Sequence, residues 1–189
     1  MIKLVRNSGG FTLIEILVVA SLMVLMTSVL IKNFSGNKLD MDRIANQLLV
    51  DIRTAQSNAL AAKKYEDTFR CGYGVTRQSS SIYNIYAGKN SSIGSCSNPY
   101  SFIDATTTPI IKTVTVDSRV DILNFQDVFF LPPDPKLYRG NGNSPATNPL
   151  EITLRKSTVN NCNTAGDCKF ICVYPSGRVE KYNDKNLCN

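Results

Sequence analysis

The side chains best suited to covalent chemistry are six cysteines: Cys71, Cys96, Cys162, Cys168, Cys172 and Cys188. An even set of thiols, all lying beyond an apolar N-terminal segment, reads as a disulfide framework. Cys71 and Cys96 flank an expected hairpin and are the favoured first pair. The four late cysteines then pair locally, preferably as Cys162–Cys168 and Cys172–Cys188, because the second bridge would tie down the C-terminal end. Each closure would contribute about 2–4 kcal/mol, mainly by restricting the unfolded chain. Zinc needs short paired spacings and usually His. The spacings here are of another kind and the chain has 0 His. That absence also removes His-based acid–base catalysis and both the Ser-His and Cys-His nucleophile pairs. There is no nucleotide-binding loop and no paired-carboxylate motif. The expectation is therefore no enzyme, no metal and no cofactor.

The second residue of chemical interest is Glu15. It is the single charge in FTLIEILVVASLMVLMTSVLI, residues 11–31. As a helix this run would be about 32 Å long, close to the thickness of a bilayer core. A carboxylate in such a helix costs about 2.5–3.5 kcal/mol on insertion scales and calls for a partner. A secretory signal peptide fits poorly, because the run exceeds the usual apolar length and no small-x-small cleavage site follows. A plain anchor would leave Glu15 unexplained. The preceding segment carries Lys3 and Arg6, which the positive-inside rule would hold in the cytoplasm.

Gly9-Gly10-Phe11-Thr12-Leu13-Ile14-Glu15 resembles the prepilin signal of type IV pilins and type II secretion pseudopilins. The resemblance is close over residues 1 to about 35 and holds only by pattern beyond. It implies cleavage between Gly10 and Phe11 by a membrane-embedded prepilin peptidase, and N-methylation of the new Phe11 amine. It also implies insertion in the inner membrane, contact with its lipid, a single pass with an exported C-terminal domain, and assembly with other pilin or pseudopilin subunits. Glu15 would pair with the Phe11 ammonium of a neighbouring subunit, or with its own at i, i+4, cancelling two charges that are each costly in lipid.

These residues need positioning elements. Ser35-Gly36-Asn37 interrupts the apolar run and marks a soft point, since Gly costs about 1 kcal/mol within a helix. Ile44, Leu48, Ile52, Ala55, Ala59 and Ala62 then recur at steps of three and four, the stripe of an amphipathic helix. If continuous, 11–64 would be a spine about 81 Å long. From residue 65 the pattern turns to β-like runs at 73–76, 82–87, 110–116, 120–131, 150–156, 169–174 and 178–182, with turn signals at Pro175-Ser176-Gly177.

The expected organisation is a leader at 1–10, a transmembrane and assembly helix at 11–35, its amphipathic continuation at 36–64, and an exported, disulfide-bonded β domain at 65–189. The fold class is α+β: a long, partly transmembrane N-terminal helix packed on antiparallel β-sheets, pilin-like. The order of elements resembles the GspH/FimT-type minor pilin branch, which makes the expected role that of a structural subunit. It would serve a type IV pilus or a type II secretion pseudopilus.

With 21 Lys and Arg against 15 Asp and Glu, the net charge is +6. Arg178, Lys181 and Lys185 fall among several cations near the C-terminus, a pattern that suits DNA phosphates. Some FimT-like minor pilins bind DNA through a Gly-Arg-x-Arg stretch, which makes DNA uptake the alternative function. Here the stretch is Gly177-Arg178-Val179-Glu180, with an acid in place of the second Arg. Asp134, Asn141, Asn143 and Asp167 are oxygen donors of the kind calcium takes, but they lack the regular spacing of a calcium loop.

Overall fold

In the computed structural model the residues described are 12–33, 36–90, 96, 108–134, 136–139, 145–162, 166–184 and 187–188. The chain divides into two compact units, Met1–Gly36 and Asn37–Asn189.

The first unit holds helix α1, Leu13–Asn33. The Thr12 carbonyl accepts the Glu15 and Ile16 amides at 3.1 and 3.3 Å and so starts the helix. Ser21, Thr27 and Ser28 return their hydroxyls to carbonyls of the preceding turn, which satisfies them within the helix.

The structure corrects the membrane expectation. Among the described residues no helix is long and apolar enough to cross a membrane. The helix begins at Leu13, and its apolar stretch between Glu15 and Lys32 covers only 16–31. That stretch rises about 24 Å, short of a hydrocarbon core of about 30 Å. A transmembrane segment at 11–35 and a single-pass inner-membrane location are therefore not supported.

The fold class is corrected as well. Among the described residues there are, in place of one long N-terminal helix on a sheet, two shorter helices of 21 and 25 residues and three antiparallel sheets. The second helix, α2, runs Gly36–Leu60.

In the second unit the chain continues as β1 (Lys64–Tyr65) and β2 (Thr68–Phe69), a small hairpin. Then come β3 (Tyr73–Arg77), β4 (Ile82–Ala87), β5 (Ile110–Thr115), β6 (Val120–Leu123), β7 (Val128–Phe130) and β8 (Leu137–Arg139). The last are β9 (Leu150–Lys156), β10 (Cys168–Val173) and β11 (Val179–Tyr182). One sheet has the order β5-β4-β3-β7-β8 and another β11-β10-β9-β6.

The expected strand at 120–131 is two strands belonging to two different sheets. Asn124 lies between them at φ 52°, in the left-handed region that Asn tolerates, and this turns the chain from one sheet to the other. Gly177 plays the corresponding part in the β10–β11 hairpin at φ 84°, where the Tyr174 amide donates to the Arg178 carbonyl at 2.8 Å.

Both large sheets and α2 share one core. Met41, Ile44, Leu48, Ile52, Ala55 and Ala59 are buried on one side of α2, while Ala62 lies beyond the helix end at φ 43°. Against them pack Val75, Ile85 and Val128 of one sheet and Ile122, Ile152 and Ile171 of the other. Steps of three and four put a single helical face toward the sheets, and period-two alternation gives each strand an inward set. Two hydrogen bonds fix α2 along β11: Arg53 donates to the Val179 carbonyl and Gln56 to the Gly177 carbonyl, each at 2.9 Å.

All six cysteines are paired, as Cys71–Cys96, Cys162–Cys168 and Cys172–Cys188. These are the pairs that position in the chain favours. The bridges span sequence separations of 25, 6 and 16, so each one staples local structure.

Candidate assembly face and basic hairpin

Helix α1 presents apolar side chains to its surroundings along much of its length. Leu13 is 78% exposed and Met26 70%, with Ile14, Ile16, Leu17 and Leu25 all more than half exposed. Glu15, Ile16, Val19, Ala20 and Met23 lie along one side of it, at helical spacings. Glu15 is the only acid in the first turn, where the helix dipole favours a negative charge. Its expected partner Phe11 lies outside the described residues, as does Gly10, so the expected cleavage and methylation positions carry no structural account.

The C-terminal cations are engaged one by one. Arg178 sits 4.1 Å over the Tyr174 ring and 3.5 Å from the Glu180 carboxylate. Lys181 donates to Asp42 at 3.1 Å and to Asn46 at 2.8 Å, both on α2. Lys169, buried, reaches the same Asp42 carboxylate at 3.1 Å and Asn183 at 2.6 Å. Partial burial pushes the Asp42 carboxyl up, but Lys181 and Lys169 together outweigh it and hold the group below its usual range. Lys181 and Lys169 therefore tie α2 to the sheet. Lys185, the third expected DNA contact, lies outside the described residues.

The oxygen donors considered for calcium are dispersed. Asp134 pairs with Lys136 and Asp167 with Lys156, each at 2.8 Å, while Asn141 and Asn143 lie outside the described residues. Among the described residues no group of three His, Cys, Asp or Glu side chains could hold a metal.

One polar cluster escaped the sequence reading. Asp51, on the buried face of α2, accepts from the Tyr83 hydroxyl of β4 at 2.7 Å and from Lys112 of β5 at 3.1 and 3.4 Å. Burial, then the bond to Asp51, push the Tyr83 phenol far above its ordinary range. The available signal was Asp51 itself, a charge set between Leu48 and Ala55 on an otherwise apolar stripe. Nothing local in the sequence names its partners, which are 32 and 61 residues away. No protein-family model, curated protein or solved structure matches this chain.

Proposed function

We propose that this protein is a minor pilin or pseudopilin, a structural subunit of a type IV pilus or type II secretion pseudopilus, built into its filament through α1. The observation that carries the reading is the exposed apolar surface of α1, with Glu15 in its first turn. A patch of this kind needs a cover. Side-by-side helices of neighbouring subunits supply one, and a Phe11 ammonium generated by cleavage after Gly10 gives Glu15 an opposite charge to set the register. The disulfide-bonded β unit supports a structural role, since three bridges restrict the unfolded chain of a small domain. The basic hairpin lends little to a DNA-uptake role, because Glu180 and Asp42 already accept its described cations.

Coexpression with a prepilin peptidase tests the reading. The mature chain is expected to begin at a methylated Phe11, and Gly10→Leu to block processing. Glu15→Leu is expected to be processed normally yet to lose cross-linking to other pilin subunits. An N-terminus mapped elsewhere refutes the maturation, and wild-type cross-linking by Glu15→Leu refutes the register role.

A further inference from the structure

Strand β5 ends the five-stranded sheet, and among the described residues no strand pairs with its outer side. Its register against β4 follows from Tyr83↔Val114 and Ile85↔Lys112, and the ladder is extended by the Val116 amide donating to the Ser81 carbonyl at 2.7 Å. Hydrogen-bonded pairs alternate in an antiparallel ladder. Thr113 and Thr115 are then the residues whose amides and carbonyls point away from β4, two residues apart, as an added strand requires. Between Ile110 and Thr115 the strand itself contains no proline, and the register irregularity of the pair falls at Ile85/Tyr86, away from Thr113 and Thr115. Its one charged residue, Lys112, is turned onto Asp51.

Helix α2 runs beside this edge. Arg43 and Gln47 of α2, with Thr115 and Asp117, line a small polar cleft of about 40 Å³ next to the strand. Arg43 is exposed and makes no hydrogen bond or ion pair among the described residues. Asp117, the acid lining the same cleft, is already held in a two-pronged grip by Arg119, at 2.9 and 2.8 Å. Arg43 acts on Asp117 only through space, since Arg119 already holds both carboxylate oxygens, and so it presents an exposed guanidinium beside the strand edge.

We propose that the β5 edge and the adjoining α2 side chains Arg43 and Gln47 form a docking groove for an extended, acid-bearing peptide segment of a partner protein, which adds as a further strand. Main-chain bonds to Thr113 and Thr115 supply affinity independent of side chains. A carboxylate on the helix-facing side of the added strand meets Arg43 and gives selectivity. The inference stands apart from the filament role, since it uses no residue of α1.

The test uses the full-length protein and a fluorescent acetyl-Thr-Val-Asp-Val-Thr-amide probe. Controls are the same peptide with Lys at its centre and one N-methylated at alternate residues. The Asp peptide is expected to bind saturably below about 1 mM and to slow amide exchange at Thr113 and Thr115. N-methylation is expected to abolish binding. Arg43→Glu, a change at an exposed position, is expected to weaken the Asp peptide about tenfold and to favour the Lys peptide. The proposal is overturned by absence of saturable binding, by protection outside β5, or by binding indifferent to N-methylation or to Arg43→Glu.

Discussion

Replacing Tyr83 by Phe removes one hydroxyl from the point where α2 meets both β4 and β5. The Asp51 side chain is only 9% exposed and takes its shortest hydrogen bond, 2.7 Å, from Tyr83. A bond of this kind to a charged group is worth about 1.5–3 kcal/mol. The other partner, Lys112, is 48% exposed, so water screens its share, which is at most about 1 kcal/mol. Tyr83→Phe should therefore cost about 1.5–3 kcal/mol and Lys112→Ala clearly less. In a chain of this size that corresponds to roughly 3–12 °C in melting temperature. Asp51→Ala should cost at least as much as Tyr83→Phe, because it leaves a buried phenol without its acceptor. The assay is urea unfolding of the single and double variants, with the coupling energy taken from the cycle. A Tyr83–Asp51 coupling below about 0.5 kcal/mol would refute the reading of this bond as a stabilising tie between α2 and β4.

Two further outcomes are expected. Burial raises the phenols of Tyr73, Tyr83 and Tyr86 in the folded chain above their ordinary value of 10.0. A raised folded value gives stability that is complete below the unfolded value and lost above it, so melting temperature should fall as pH rises past about 10; a flat profile from pH 8 to 11.5 would contradict this, and Tyr83→Phe should flatten the fall. Alkylation before and after reduction, read by intact mass, should add label to all six cysteines only after reduction, and Cys172→Ser with Cys188→Ser should lower stability by about 2–4 kcal/mol; two or more thiols reactive in the native protein would contradict the pairing.

Several parts of the fold are written locally and were legible for that reason. The stripe from Ile44 to Ala59 follows from helical period alone, and the hairpins around Ser79 and Gly177 follow from turn residues between β-rich runs. The disulfide partners were within reach because each bridge closes a short segment. The membrane-spanning reading failed on a count of apolar residues that began at Phe11. The helix begins two residues later, and Glu15 and Lys32 bound a shorter apolar stretch than the full run suggests.

By itself the sequence determined where the chain turns from helix to strand, which helical face is apolar, that the cysteines pair, and that Glu15 stands alone in an apolar run. Those properties depend on residues within a turn or a hairpin of one another, where backbone sterics and side-chain period act directly. Tertiary structure alone decided that 120–131 splits between two sheets at Asn124, that Asp42 gathers Lys169 and Lys181, that Asp51 joins Tyr83 and Lys112, and that β5 is left as an edge beside Arg43. Each of these joins residues tens of positions apart. The alternatives differ by only a few kcal/mol locally, and the choice among them is made by burial of the shared core.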